Sequence, residues 1–174
     1  MSDLVTIGES TALFSLPHIG RMRDAKSVDV SIAGAESNVS IGFCRLGRSS
    51  SWIGRLGDDE FGELVLKILR SEGVDVSGVT RDETAQTALM FKERRADNVV
   101  QVTYYRRGYA GSALRREDVD TDLIESARIL HVTGITLALS ESARAAVLYA
   151  VEVARSAGVT VSLCLLYTSD AADE

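Results

Sequence analysis

Cysteine and histidine each appear only twice in 174 residues, and proline and tryptophan once each. Cys44 and Cys164 are too few for a disulfide framework and lack the Cys/His spacing of a zinc site, which points to a reducing compartment. Basic residues are also short: 19 Lys and Arg stand against 25 Asp and Glu, for a formal charge of -6 and a pI near 5.0. That balance argues against nucleic acid as a partner, because polyanion binding shows as clustered Lys and Arg. The pairs Arg94-Arg95, Arg106-Arg107 and Arg115-Arg116 are too short for a polybasic tract and read mostly as solvated surface. No stretch approaches a membrane span, and Met1 to Ile7 carries no basic n-region or long apolar h-region. A cytoplasmic protein with no membrane partner is expected. The absence of G-x-G-x-x-G and of G-x-x-x-x-G-K-[ST] disfavours a dinucleotide-dependent oxidoreductase and a P-loop ATPase.

What is present is enough apolar residue, 45%, to bury one sizeable core. Leu4 to Ile7 reads as a first core strand ending at Gly8. From Thr11 to Ile32 short alternating pieces, interrupted by Pro17 and Gly20, suggest strands with one wet face. Val39, Phe43 and Leu46 fall at helical spacing between Glu36 and Leu46, with Gly47 as the stop. Ser51 to Gly54 is a second core strand. The acidic Asp58-Asp59-Glu60 then opens a helix whose stripe is Phe61, Leu64, Val65, Ile68 and Leu69, ending near Gly73. Ala88 to Lys92 and Val99 to Tyr105 read as strands of a hairpin connected by Glu93 to Asn98. Ile129 to Val132 is another core strand, Ser140 caps a helix with Ala143, Val147, Ala150, Val151 and Ala154 inward, and Val159 to Leu163 starts one more strand. Strands alternating with helices predict an α/β fold, a parallel sheet with helices on both faces. The two wet-faced stretches, about 11–32 and 86–107, predict a small second sheet acting as a β lid over a cleft.

The final segment, Cys164 to Glu174, resembles the translation of a transposase-based sequencing-library adapter. The expectation is a native region 1–163 and a non-native tail 164–174, with the core sheet truncated at its C-terminal side. An unfinished sheet is expected to expose an apolar edge and face.

Ala33-Gly34-Ala35-Glu36-Ser37-Asn38 joins an alternating strand to the first helix, so its backbone N–H groups and short polar side chains should face the cleft. Gly34 allows a ligand close to the backbone, and Asn38 offers both donor and acceptor, as sugar hydroxyls require. The same turn could be only a tight strand-to-helix connection. Its order and spacing, through Gly42 and Leu46-Gly47 and then Gly54-Arg55-Leu56-Gly57-Asp58-Asp59-Glu60-Phe61-Gly62, resemble the N-terminal signature of ribokinase-like (PfkB) sugar kinases. The words AGAESN at 33–38, YYR at 104–106 and HVTGI at 131–135 are similar to the 2-keto-3-deoxygluconate kinase branch.

That resemblance implies a ribokinase-like fold and an enzyme transferring the γ-phosphoryl of ATP, with Mg²⁺, to 2-keto-3-deoxygluconate or a related sugar acid. It implies Gly34 and Asn38 as holders of sugar hydroxyls, and Tyr104 and Arg106 as lid residues directed at the keto acid. An arginine suits a carboxylate because its planar fork donates two parallel charge-assisted hydrogen bonds. Where the branch has a tyrosine before Phe91-Lys92-Glu93, this chain has Met90, which leaves the identity of the acid open. The family's late Gly-Ala-Gly-Asp word, which carries its catalytic Asp, does not occur, so no catalytic residue is assigned and neither ATP nor Mg²⁺ is expected to bind this chain well. Asp58 and Asp59 are read as helix-start caps, His131 as a packed core histidine and Cys44 as a small core residue. Family members often pair through the lid, so a homodimer of the full-length protein is an expectation. A fructokinase or ribokinase of the same family, and a non-catalytic sugar-binding module, stay open beside the sugar-acid kinase.

Overall fold

The computed structural model describes residues 2–97 and 99–166. A five-stranded, wholly parallel sheet is built from β1 (Leu4–Ile7), β4 (Ser50–Gly57), β5 (Val79–Asp82), β8 (Ile129–Thr133) and β9 (Thr160–Cys164) in the order β5-β4-β1-β8-β9. A four-stranded sheet takes β2 (Thr11–Ser15), β3 (Asp29–Ala33), β6 (Leu89–Ala96) and β7 (Val99–Tyr105) in the order β3-β2-β6-β7. Its two hairpins, from distant parts of the chain, meet where β2 and β6 pair in parallel. Phe14 stacks on Phe91 across that seam at 5.1 Å and meets Phe61 edge-on at 5.6 Å, which ties the small sheet to the main body.

Period-two alternation sends neighbouring side chains of each parallel strand to opposite faces. On one face Val5, Ile7, Ile53, Leu130 and Val132 pack with α3 (Thr121–Glu125) and α5 (Glu141–Ser156). On the other, Trp52 and Leu56 pack with Val65, Leu66 and Leu69 of α2 (Glu60–Ser71). The expected helix stops hold, since Gly47, Gly73 and Gly158 all take the left-handed backbone that glycine adopts without penalty. Ser140 Oγ accepts the Ala143 amide at 3.0 Å, the cap anticipated for α5.

The structure departs from the sequence reading in three places. The first helix, α1 (Ala35–Arg45), buries Glu36, Ser37 and Ser40, whereas Val39 and Phe43 are only half-buried and Leu46, its C-cap, is 80% exposed. Helical spacing located the helix, but its fully buried positions are polar, because β1 and β8 present Thr6, His131 and Thr133 to it and select polar partners. The polar stretch 93–96 continues β6, pairing Glu93 with Gln101 and Arg94 with Val100. Charged side chains do not end a strand whose faces both reach water. The strand β5, the short helices α3 and α4 (Gly134–Leu139) and three 3-10 turns were not anticipated, being too short for a periodic signal. β9 forms one edge of the parallel sheet among the described residues, and Leu163 on it is 54% exposed. Of the segment 164–174, Tyr167 to Glu174 lie outside the described residues.

Beneath β4 and β5 sits a buried charge triad. Arg55 donates from Nε to Asp82 and from Nη1 to Asp118, each at 2.8 Å. Both remaining carboxylate oxygens are taken as well, by the Thr84 and Ala85 amides, the Thr84 hydroxyl and the Arg115 amide. Burial works against ionised Asp82, but the Thr84 contacts and Arg55 outweigh it and hold its carboxyl well below the ordinary 3.8. Removing Arg55 leaves two buried carboxylates without a counter-charge, so Arg55→Met should cost about 3–5 kcal/mol in urea unfolding. A depressed carboxyl contributes stability that is complete above pH 3.8 and drains as pH falls below it. Acid unfolding should therefore be less steep below that pH in Asp82→Asn than in the parent chain.

Candidate functional site

Because two sheets share one chain, the segments that pass between them collect at one end of the parallel strands. Gly8 to Ser10 carries the chain from β1 to β2, Gly34 links β3 to α1, and Arg106 follows β7 directly. A cavity of about 300 Å³ opens there, lined among others by Glu9, Gly34, Asn38, Met90, Tyr104 and Arg106. In open α/β sheets the crevice outside the carboxyl ends of the strands is where ligands bind.

Each predicted residue has a definite place in it. Gly34 is the N-cap of α1 and lies so close to Glu9 and Ser37 that a side chain would meet the Glu9 carbonyl at 2.6 Å and Ser37 Oγ at 2.5 Å. Asn38 stands one turn into α1 and is exposed to the opening. Tyr104 and Met90 are direct partners across β6 and β7, so both point from the small sheet into the same space. Arg106 lies over the Tyr104 ring, with its guanidinium carbon 5.1 Å from the centroid. The four residues therefore line one cavity, although they come from two well-separated segments of the chain.

Sequence reasoning missed the two carboxylates in the same wall. Glu9 is almost fully buried and bonds Arg106 Nη2 through Oε2 at 2.5 Å. Burial pushes its carboxyl up, and Arg106 offsets part of that push. Its signal was available: an acidic residue two positions beyond a buried parallel strand faces the crevice. Glu36, inside the recognised motif but given no role, accepts the hydroxyls of Thr133 and Thr136 at 2.6 Å each. Thr133 in turn caps α4 by accepting the Ile135 amide, and Ile135 also lines the cavity. The wall thus has one guanidinium, two carboxylates, an amide side chain and a phenol, a set that suits a small polar ligand with hydroxyls and an anionic group.

Asp58 and Asp59 serve the helix start. Asp59 accepts the Gly62 amide at 2.8 Å and the Thr87 amide at 2.7 Å, and Asp58 pairs with Arg81. His131 is buried under α1 with Nδ1 3.0 Å from Ser162 Oγ. Cys44 is half-buried rather than core, with its thiol against the Gly73 carbonyl.

A family model for the pfkB family of carbohydrate kinases matches residues 1–173. The 2-dehydro-3-deoxygluconokinase of Bacillus subtilis (strain 168) is 38% identical over 161 residues, 92% of this chain and 50% of that protein. A fructokinase of Solanum tuberosum is 42% identical over 129 residues, 74% of this chain and 40% of that protein. The crystal structure of 2-dehydro-3-deoxygluconokinase from Thermotoga maritima superposes with a TM-score of 0.90 at 30% identity, covering 98% of this chain and 52% of that one. The chain spans about half the length of the curated relatives it matches, or less.

Gly34 supplies the direct test of the cavity's tight wall. Gly34→Ala should lower stability by about 1–3 kcal/mol in thermal or urea unfolding, the usual cost of overpacking. Removing the Ser37 hydroxyl in the same chain should not restore it, because the Glu9 carbonyl, a backbone atom, remains 2.6 Å from the added carbon.

Proposed function

The chain belongs to the pfkB family of carbohydrate kinases, and on that premise we propose that it is the sugar-binding part of an ATP-dependent kinase for 2-keto-3-deoxygluconate or a closely related sugar acid. The observation that carries this reading is the convergence of Gly34, Asn38, Tyr104 and Arg106 on one cavity. Gly34 and Asn38 hold sugar hydroxyls, Tyr104 and Arg106 take the keto-acid end, and the sheet β3-β2-β6-β7 acts as the lid.

PfkB kinases use ATP. Phosphoryl transfer of this kind depends on positioning and charge stabilisation more than on covalent chemistry by the protein. This chain's share is to bind the sugar, orient the accepting hydroxyl and cover it. Among the described residues no group of three or more His, Cys, Asp or Glu side chains is arranged to hold a metal ion, and Asp58 and Asp59 are already engaged. No Gly-Ala-Gly-Asp word is present in the sequence. The 174-residue chain accordingly binds sugar weakly and does not turn over.

A second reading, a fructokinase, is favoured by the 42% identity to the Solanum tuberosum enzyme and by Met90, which offers the ligand no hydroxyl. A homodimer formed through the lid is part of the proposal, supported by Val30, Val99, Val100 and Tyr105, each about half exposed on that sheet. No helix of the described residues is long and apolar enough to cross a membrane, which is compatible with a cytoplasmic place.

Titration of the ¹⁵N-labelled chain separates the readings. The keto acid should shift the amides of Gly34 and Asn38 more strongly than fructose does, and Arg106→Ala should weaken the acid about tenfold or more, the lower end for a charge-assisted hydrogen bond. Equal or better binding of fructose favours the second reading. With ATP, Mg²⁺ and the keto acid the chain should form no product above background; steady ATP-dependent product would overturn the non-catalytic assignment.

A further inference from the structure

The Glu9–Arg106 pair is built differently from an ordinary counter-ion contact. Glu9 has a side chain only 4% exposed, with Oε2 on Arg106 Nη2 and Oε1 buried without a partner. Behind it the backbone of Gly111, in the 3-10 turn Ala110–Ala113, presses directly on the carboxylate. A carbon added there would lie 2.6 Å from Glu9 Cγ and 2.8 Å from Oε1, and its three nearest atoms all belong to Glu9. Arg106 is thereby held on two sides, by the carboxylate at Nη2 and by the Tyr104 ring face. Its Nε–H is buried and has no acceptor. An unpaired donor next to a polar cavity is costly unless a ligand completes it.

We propose that Glu9 is the positioning residue of this site: backed by Gly111 and paired with Arg106 Nη2, it fixes the guanidinium over the Tyr104 ring and so sets the orientation in which a ligand carboxylate is held. The inference rests on the reading of the cavity as a sugar-acid site. It differs from a simple charge balance, in which a ligand carboxylate would displace Glu9 and compete with it. Under displacement, neutralising Glu9 tightens acid binding; under positioning, it weakens it.

Two variants perturb the pair in different ways. Glu9→Gln keeps the shape and removes the charge, while Gly111→Ala keeps the charge and moves the carboxylate. The first readout needs no ligand: the Arg106 Nε–H resonance of the ¹⁵N-labelled chain should be resolved and slow to exchange with water in the parent and exchange-broadened in both variants. The amide spectrum shows that each variant is folded, and Glu9→Gln serves if Gly111→Ala is not. The second readout is the affinity for 2-keto-3-deoxygluconate beside that for its analogue with the carboxylate reduced to a hydroxymethyl group. Both variants should bind the acid about tenfold more weakly and leave the analogue within about twofold. Unchanged Nε–H exchange in Glu9→Gln, or acid binding as tight as the parent's or tighter, overturns the proposal. If the parent binds neither compound, the sugar-acid reading fails, and the Nε–H signal alone then decides whether Glu9 holds the guanidinium.

Discussion

Two sheets of different strand direction share a chain that passes between them four times, and each passage must satisfy backbone groups where neither ladder continues. The passages are β1 to β2, β3 to α1, β5 to β6, and β7 toward α3. An unpaired buried amide or carbonyl costs about as much as a lost hydrogen bond, so such crossings need fixed partners. Asp59 and Thr87 supply them at the third crossing, where the Asp59 carboxylate accepts the Thr87 amide and the Thr87 hydroxyl accepts the Gly57 amide at 2.9 Å. At the second crossing the missing side chain of Gly34 lets the start of α1 lie against the Glu9 carbonyl, which an added carbon would meet at 2.6 Å. The cavity lies among these crossings because they are the places where polar groups can neither be spared nor buried in a ladder.

Among the described residues two buried ionic systems stand out, the Arg55 triad and the Glu9–Arg106 pair, and they differ in how fully they are satisfied. In the Arg55 triad every carboxylate oxygen of Asp82 and Asp118 accepts at least one hydrogen bond. Such an arrangement has nothing left to offer a ligand and acts as a brace between β4, β5 and the turn Arg116–Asp118. The Glu9–Arg106 pair leaves one atom on each side unpartnered, beside an open cavity. Buried groups without partners are uncommon in folded proteins, and beside a polar cavity a ligand atom is the partner that the proposed function supplies.

The wet interface between α1 and the parallel sheet links these parts. Thr6 meets Ser40 at 2.8 Å, and Glu36 gathers the hydroxyls of Thr133 and Thr136. Through Thr133 the same carboxylate fixes the start of α4 and hence Ile135 in the cavity wall. The start of α1 is therefore aligned by directional bonds rather than by apolar packing alone, which holds Gly34 and Asn38 in register with β8.

How much of this was legible depends on the range of the interaction involved. Short buried runs such as Leu4 to Ile7, the stripe around Val65 and Leu69, and the glycines at 47, 73 and 158 are local signals, and they located the parallel sheet, its main helices and their ends. Gly34 and Asn38 stood out by their place at a strand-to-helix turn and by what they can offer a ligand, but it was the family resemblance that gave them a role and that singled out Tyr104 and Arg106. Only the tertiary structure decided that α1 turns a polar face inward, that β6 runs on through Glu93 to Ala96, and that Arg55 is buried while Leu46 is not. It alone put Glu9 against an arginine almost a hundred positions away, because burial, charge pairing and the approach of Gly111 depend on which distant segments share one space, and neither composition nor periodicity encodes that.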